Sequence, residues 1–329
     1  MLPLADESTL AFAEEAYKKL EGQENEVQYR LLQLLAEGQT TESFAVLKRL
    51  LLSSLPKTGN AILLQKPLLD SAELTATLFP DLLQKANDPL FGTVVAVLAH
   101  RLVQDSLLTI QTLKAYKAPI LQGAKNEWQL LLDGSYEPWE LTRWARLLGL
   151  LNEPEGTTLL RSMLAQKDIP LKQAAIEALL SNGQAVPASE ISKVAADRSQ
   201  RVYFFEALQE MGKESLFPPL YATQKSLAES DLFTMFADDY EEFTLTYVGQ
   251  RSATYQGALQ QFHLFKLGLP GEEGQRNEYL CVAGPYKSGA KEKVLYGKLS
   301  GVYGDETFDP KKITQQLKAY LQQKDSDEE

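Results

Sequence analysis

The stretch Phe243-Thr244-Leu245-Thr246-Tyr247-Val248 decides the fold. Phe243, Leu245 and Tyr247 alternate with Thr244, Thr246 and Val248, the period of a strand with one face on a core. Upstream, to about residue 240, apolar residues recur at helical spacing. Downstream, to Val302, they fall in short β-type runs separated by Gly-rich turns. Leu259 to Leu269 gives a second strand, Glu278 to Ala283 a third, and Lys293 to Val302 a fourth, bulged at Gly297 or Gly301. The breaks are Gln256-Gly257, residues 270–274 and Gly284-Pro285, and links this short favour an antiparallel meander. Asp309 as N-cap and Pro310 at the first helical position then open a helix whose apolar face is Ile313, Leu317, Tyr320 and Leu321. The order β-β-β-β-α covers one sheet face with that helix and leaves the other to the helical region, water or a partner. Residues 325–329 are expected to be a frayed, solvated end.

Helical spacing is clearest between Trp139 and Met211. Leu141, Trp144, Ala145, Leu148 and Leu151 form one stripe, and Pro154 suits the first turn of the next helix, carried by Leu159, Leu160, Met163 and Leu164. After the turn Asp168-Ile169-Pro170, the stripe returns at Leu171, Ala174, Ala175, Ala178 and Leu179, and Asn182-Gly183 ends it. Pro187 opens a short helix through Ile191, Val194 and Ala195. Asp197 with Gln200 has the spacing of a capping box before Val202, Phe205, Leu208 and Met211. Earlier faces are Leu10, Ala13, Tyr17 and Leu20; Leu31, Leu34 and Leu35; and Phe44, Leu47, Leu51 and Leu52. Asp70 with Glu73 predicts a second box, before Leu74, Leu78, Leu82 and Leu83. Phe91 to Val103 has the composition of a helix buried on several sides. Gly22, Gly38, Gly59, Pro67, Pro89, Gly123 and Gly134 read as punctuation.

The segment 167–183, from Lys167-Asp168-Ile169-Pro170-Leu171-Lys172 to Ser181-Asn182-Gly183, resembles a HEAT repeat. It looks like that family's Asp/Pro turn, small-residue helix and closing Gly, with Lys172 at the usual basic position. The resemblance is best over residues 139–212. It implies an α-solenoid in residues 1–230, followed by a small α+β domain with a four-stranded antiparallel sheet and a C-terminal helix in residues 231–329. In such an array each helix pair buries its stripe against its neighbours, leaving an extended surface.

Composition narrows the function. The net charge is −11, with 22 basic and 28 acidic side chains in residues 1–230 and 11 and 16 in residues 231–329. Neither part has the basic excess of a phosphate-backbone binder. HEAT-like DNA-repair glycosylases need a basic groove, which this charge balance does not advertise. No apolar run reaches the ~18–20 residues of a bilayer span, so no membrane insertion is expected. With a single cysteine, no intrachain disulfide or Cys-based zinc site can form. With Met1 as the natural start, a cytoplasmic protein is expected.

Candidate chemistry is sparse. His100 and His263 are the two histidines, far apart in sequence, so a His-based metal site or nucleophile–His pair is poorly supplied. His100 sits on an apolar helix; His263, between Phe262 and Leu264, is read as a strand residue facing outward. Cys281 reads as a small buried hydrophobe. Asp238, Asp239, Glu241 and Glu242 lack EF-hand spacing and read as a solvated interdomain joint. Residues 284–289 lack the Gly-Lys-Ser/Thr ending of a phosphate loop and read as a hairpin connection. Gly297, Gly301 and Gly304 do not fit a dinucleotide fingerprint, and Ser252, Ser288 and Ser300 lack a nucleophile-elbow context. No catalytic, cofactor or metal residue is therefore expected.

These residues point to a noncatalytic interaction scaffold with a protein or peptide partner and no nucleic acid. The aromatic-rich tail adds a sheet face that could join in recognition. Two other readings stand beside it. One is an enzyme with Asp/Glu and Tyr in a cleft between array and sheet. The other is the accessory C-terminal region of a larger protein, since the tail is faintly similar to extensions behind TraB/GumN-type domains.

Overall fold

Apolar residues at three- and four-residue spacing become helix after helix through residue 237. A computed structural model describes residues 7–20, 26–135, 137–271, 275–287 and 300–327. Its helices are α1 (Glu7–Lys19), α2 (Val27–Glu37), α3 (Thr41–Ser53), α4 (Gln65–Asp70), α5 (Ala72–Leu82), α6 (Gly92–Gln104), α7 (Ile110–Ala115), α8 (Lys117–Leu132), α9 (Thr142–Leu151), α10 (Pro154–Leu164), α11 (Ile169–Ser181), α12 (Ala188–Ala196), α13 (Arg201–Glu210) and α14 (Gln224–Ala237). Strands β1 (Thr244–Tyr255), β2 (Ala258–Pro270), β3 (Arg276–Lys287) and β4 (Gly301–Tyr303) follow, then α15 (Ile313–Asp327). The chain divides into two units, Met1–Ala185 and Val186–Glu329.

In the first unit α9 packs on α6, α10 and α11, and α3 packs on α1, α2 and α5. The stripe from Leu141 to Leu151 is buried as read, with Trp144 at its centre. Asp168 caps α11 by accepting the Leu171 N–H at 2.8 Å, and Asn152 ends α9 in the left-handed region. Lys172 is buried and donates from Nζ to the Leu164 carbonyl at the end of α10, where a cation complements the helix dipole.

Several local readings are corrected. Asp70 is the last residue of α4 and pairs with Lys66, while Ser71 precedes α5, so the expected Asp70–Glu73 box is not formed. A real box lies at Thr40 and Ser43, each side chain bonded to the other's backbone N–H. The buried face of α2 is Tyr29, Leu32, Leu35 and Ala36, which leaves Leu34 exposed. Pro67 lies within α4, and Gly123 lies inside α8 rather than between helices.

The second unit is built around one antiparallel sheet in the order β1-β2-β3-β4. Gln256 and Gly257, both at positive φ, make the tight turn that pairs Tyr255 with Ala258. Strands β1 and β3 run longer than their alternation indicated. β3 passes through Gly284 and Pro285 to Lys287, because a bulge at those two residues, opposite Phe262, absorbs the irregularity that reads as a chain break. Of the expected fourth strand, 293–299 lies outside the described residues, as do Gly297, Ser288 and Gly289. α15 begins three residues after Pro310. Asp309 instead holds a turn through the Lys311 N–H, and buried Gln316 donates to the Thr307 carbonyl.

Both sheet faces are covered within this unit. Ile313, Leu317, Tyr320 and Leu321 of α15 close over Phe262, Leu264, Leu280 and Val282. On the opposite face, Ala228, Leu232 and Phe236 of α14 close over Leu245, Phe265, Leu267 and Cys281. The face expected to await the array, water or a partner is thus taken by α14, and residue 230, the expected domain boundary, lies inside that helix. Phe262, Phe265, Tyr255, Tyr286 and Tyr303 are core residues, not an open aromatic platform.

Candidate functional site

His263 alternates with Phe262 and Leu264 and shares the α14 side of the sheet with Phe265 and Leu267, so it does not face outward. Its side chain is 5% exposed. Nδ1 shares a hydrogen bond with the Tyr247 hydroxyl at 3.3 Å, and the Tyr286 ring meets the imidazole edge-on at 5.2 Å. Nε2 has no hydrogen-bond partner among the described residues. Lys225, near the start of α14, stands 4.3 Å from the centroid of the Tyr247 ring. Burial first, and Lys225 second, push the imidazole pKa down to about 4. At neutral pH this ring is an uncharged packing element, unsuited to anion binding.

The unfolded chain protonates His263 near 6.5 and the folded protein only near 4. The stability it supports is complete above 6.5 and lost as pH falls towards 4. The shift is worth about 3 kcal/mol, and water drawn in around the cationic ring returns part of it, leaving about 2 kcal/mol. Urea unfolding at pH 7 and pH 4 should show the wild type losing about that much more than His263→Gln. Equal losses in the two proteins would exclude this coupling.

Cys281, opposite Phe265 in the β2–β3 ladder, is buried, and burial pushes its thiol pKa up despite a hydrogen bond from the Leu267 backbone. His100, on α6 of the first unit, is half-buried; burial, then Arg146 and Arg101, lower its pKa. Among the described residues no three His, Cys, Asp or Glu side chains are grouped to hold a metal ion, and no helix is long and apolar enough to cross a membrane.

A cleft of ≈ 370 Å³ opens where α14 hands over to the sheet, lined by Phe233, Glu241, Glu242, Phe243, Gly268, Pro270 and Arg276. The helix ends at Ala237, and residues 238–242 are exposed before the chain enters β1. The Phe233 and Phe243 rings lie 5.0 Å apart. Arg276, on β3, reaches across Gly268 of β2 and donates to Thr244 Oγ1 on β1 at 3.1 Å. A side chain at 268 would block that path, since its Cβ would stand 2.6 Å from Thr244 Oγ1. The acidic run is legible in the sequence. The two rings, the glycine and the arginine meet it only through strand register, which no local pattern announces.

The first unit carries a different surface feature. Trp139 is 54% exposed at the head of the 139–212 segment, and the Arg143 guanidinium lies 5.8 Å from its ring centroid. Leu132, at the end of α8, is also exposed, and α8 packs on the turn containing Trp139. No protein-family model, curated protein or solved structure matches the chain.

Proposed function

We propose that this protein is a noncatalytic interaction scaffold. In this reading the first unit is a degenerate HEAT-like array, and with the small α+β unit it presents side chains to a protein or peptide partner. The observation that carries the reading is Trp139, a large ring left in water beneath an arginine. Trp and Arg are the residue types most enriched at binding hot spots, because each offers broad contact area with a polar or charged handle.

The test uses the full chain with a photo-crosslinker at exposed Ser135, which leaves Arg143 in place, and extract of the source cells. A discrete crosslinked partner is expected, with yield falling at least tenfold when Trp139→Ser is added. The reading fails when no discrete adduct forms, or when Trp139→Ser leaves its yield unchanged.

A further inference from the structure

We propose that the outer edge of β1 receives an extended, basic segment of a partner protein by strand addition, with one Lys or Arg side chain of that segment seated in the cleft at the head of the strand. The proposal rests on the scaffold reading and narrows it to one surface and one chemistry.

The sheet order leaves β1 outermost, and its ladder to β2 runs from Thr244 opposite Gly268 to Tyr255 opposite Ala258. Beyond that ladder, residues 244–254 make no backbone–backbone hydrogen bond to any described residue. Alternate N–H and C=O groups along the strand therefore point outward. Natural sheets guard such an edge with short strands, Lys, Pro, inward charges or bulges, and β1 has one bulge, at Val248 and Gly249. β1 is 12 residues long and holds no Pro, Lys, Asp or Glu. Its single charge, Arg251, folds back to donate to the Gln250 carbonyl at 2.8 Å. Apart from that bulge and Arg251, β1 is a long polar rail that suits main-chain pairing with a guest strand.

Charge selects the guest. Asp238, Asp239, Glu241 and Glu242 are exposed at the head of the rail, and none is in an ion pair among the described residues. Glu241 and Glu242 share the cleft with the rings of Phe233 and Phe243, a setting that attracts an ammonium or guanidinium group. Arg276 is committed to Thr244 and leaves the cleft one negative charge in excess. A second copy of this chain, at net −11, would be repelled by the same run that attracts a basic segment.

The experiment is fluorescence anisotropy with the full chain and three labelled ten-residue probes. Each alternates Thr and Val; the first ends in two Lys, the second in two Glu, and the third is the Lys probe N-methylated at four consecutive residues. The Lys probe should bind at least tenfold tighter than either of the others. The exposed double substitution Glu241→Gln/Glu242→Gln should erase the preference for Lys over Glu. Equal binding of Lys and Glu probes, undiminished binding of the methylated probe, or no binding at all overturns the proposal. So does a dimer by sedimentation that occupies the rail. Loss of probe discrimination with the Trp139-dependent crosslink intact removes the rail alone. Loss of the crosslink with discrimination intact removes the Trp139 surface alone.

Discussion

Replacing Arg201 with Met is expected to cost the second unit about 3–5 kcal/mol, the range for removing one member of a buried charged network. Arg201 is 4% exposed, and its guanidinium gathers three helices. Nε donates to the Ala195 carbonyl at 2.8 Å and Nη2 to the Ala196 carbonyl at 3.0 Å, both in the last turn of α12. Nη1 donates to the carbonyl and hydroxyl of Ser226 and to Glu229 Oε2 at 3.4 Å, all on α14. The Tyr221 ring lies 5.0 Å beneath it. Burial is the main influence on this group and lowers its pKa, while Glu229 opposes that shift. Met fills similar volume but leaves two helix-end carbonyls without their donor and the Glu229 carboxylate with Arg198 alone. Arg201→Lys should recover less than half of the loss, because an ammonium cannot reach three helices with one fork. Urea unfolding followed by far-UV circular dichroism measures both variants. A loss under 1 kcal/mol for Arg201→Met would show that α12, α13 and α14 are held together by apolar packing instead.

That clamp shows what local sequence conveys and what it omits. Val202, Phe205 and Leu208 mark α13 by spacing alone, and the buried faces of α9 and α11 were equally legible. Asp197 was legible as a cap: Oδ1 accepts the Gln200 N–H at 3.2 Å, but the Gln200 amide turns to Ser199, so the reciprocal half of the box is missing. Arg201 itself carries no local signal, because two of its partners are backbone carbonyls of the preceding helix and the others lie 25 to 28 residues downstream. The same limit explains the second sheet face. Ala228, Leu232 and Phe236 continue the helical spacing, so a boundary at residue 230 cuts α14 in two, while its packing partners Leu245, Phe265 and Leu267 lie beyond the change of period. The α15 face was easier, since Ile313, Leu317, Tyr320 and Leu321 follow a strand-rich stretch with nothing else to cover it. In the cleft, Glu241 and Glu242 were visible as a charge run, whereas Gly268 and Arg276 acquire meaning only from their pairing with Thr244 and Pro270.

Gly123→Ala is expected to destabilise the first unit by about 3 kcal/mol, at the upper end of the overpacking range, although alanine is the better helix former. A glycine at this position reads as a break between helices, yet it is buried in the middle of α8. Its role is close approach. A Cβ there would stand 2.2 Å from the Ala86 carbonyl oxygen and 2.6 Å from Cη2 of Trp144. Gly92 of α6 faces the same carbonyl, at 2.4 Å from its own would-be Cβ. One backbone oxygen thus occupies the seam between α6 and α8, with the fully buried Trp144 ring against it. A side chain could rotate away from the added methyl, but a carbonyl fixed by its own backbone cannot, so α8 must move off the seam. Gly156, also buried within a helix, supplies the control. Its would-be Cβ meets only the flexible Leu148 Cδ2 at 3.3 Å and Leu atoms beyond it. Gly156→Ala should therefore range from neutral to stabilising by about 1 kcal/mol, from helix propensity alone. Urea midpoints, with tryptophan emission to report on the seam, are expected to fall for Gly123→Ala and to hold or rise for Gly156→Ala. Equal shifts would mean that α6 and α8 do not close on Ala86 at the separation found here, and that the glycine is present for some reason other than contact.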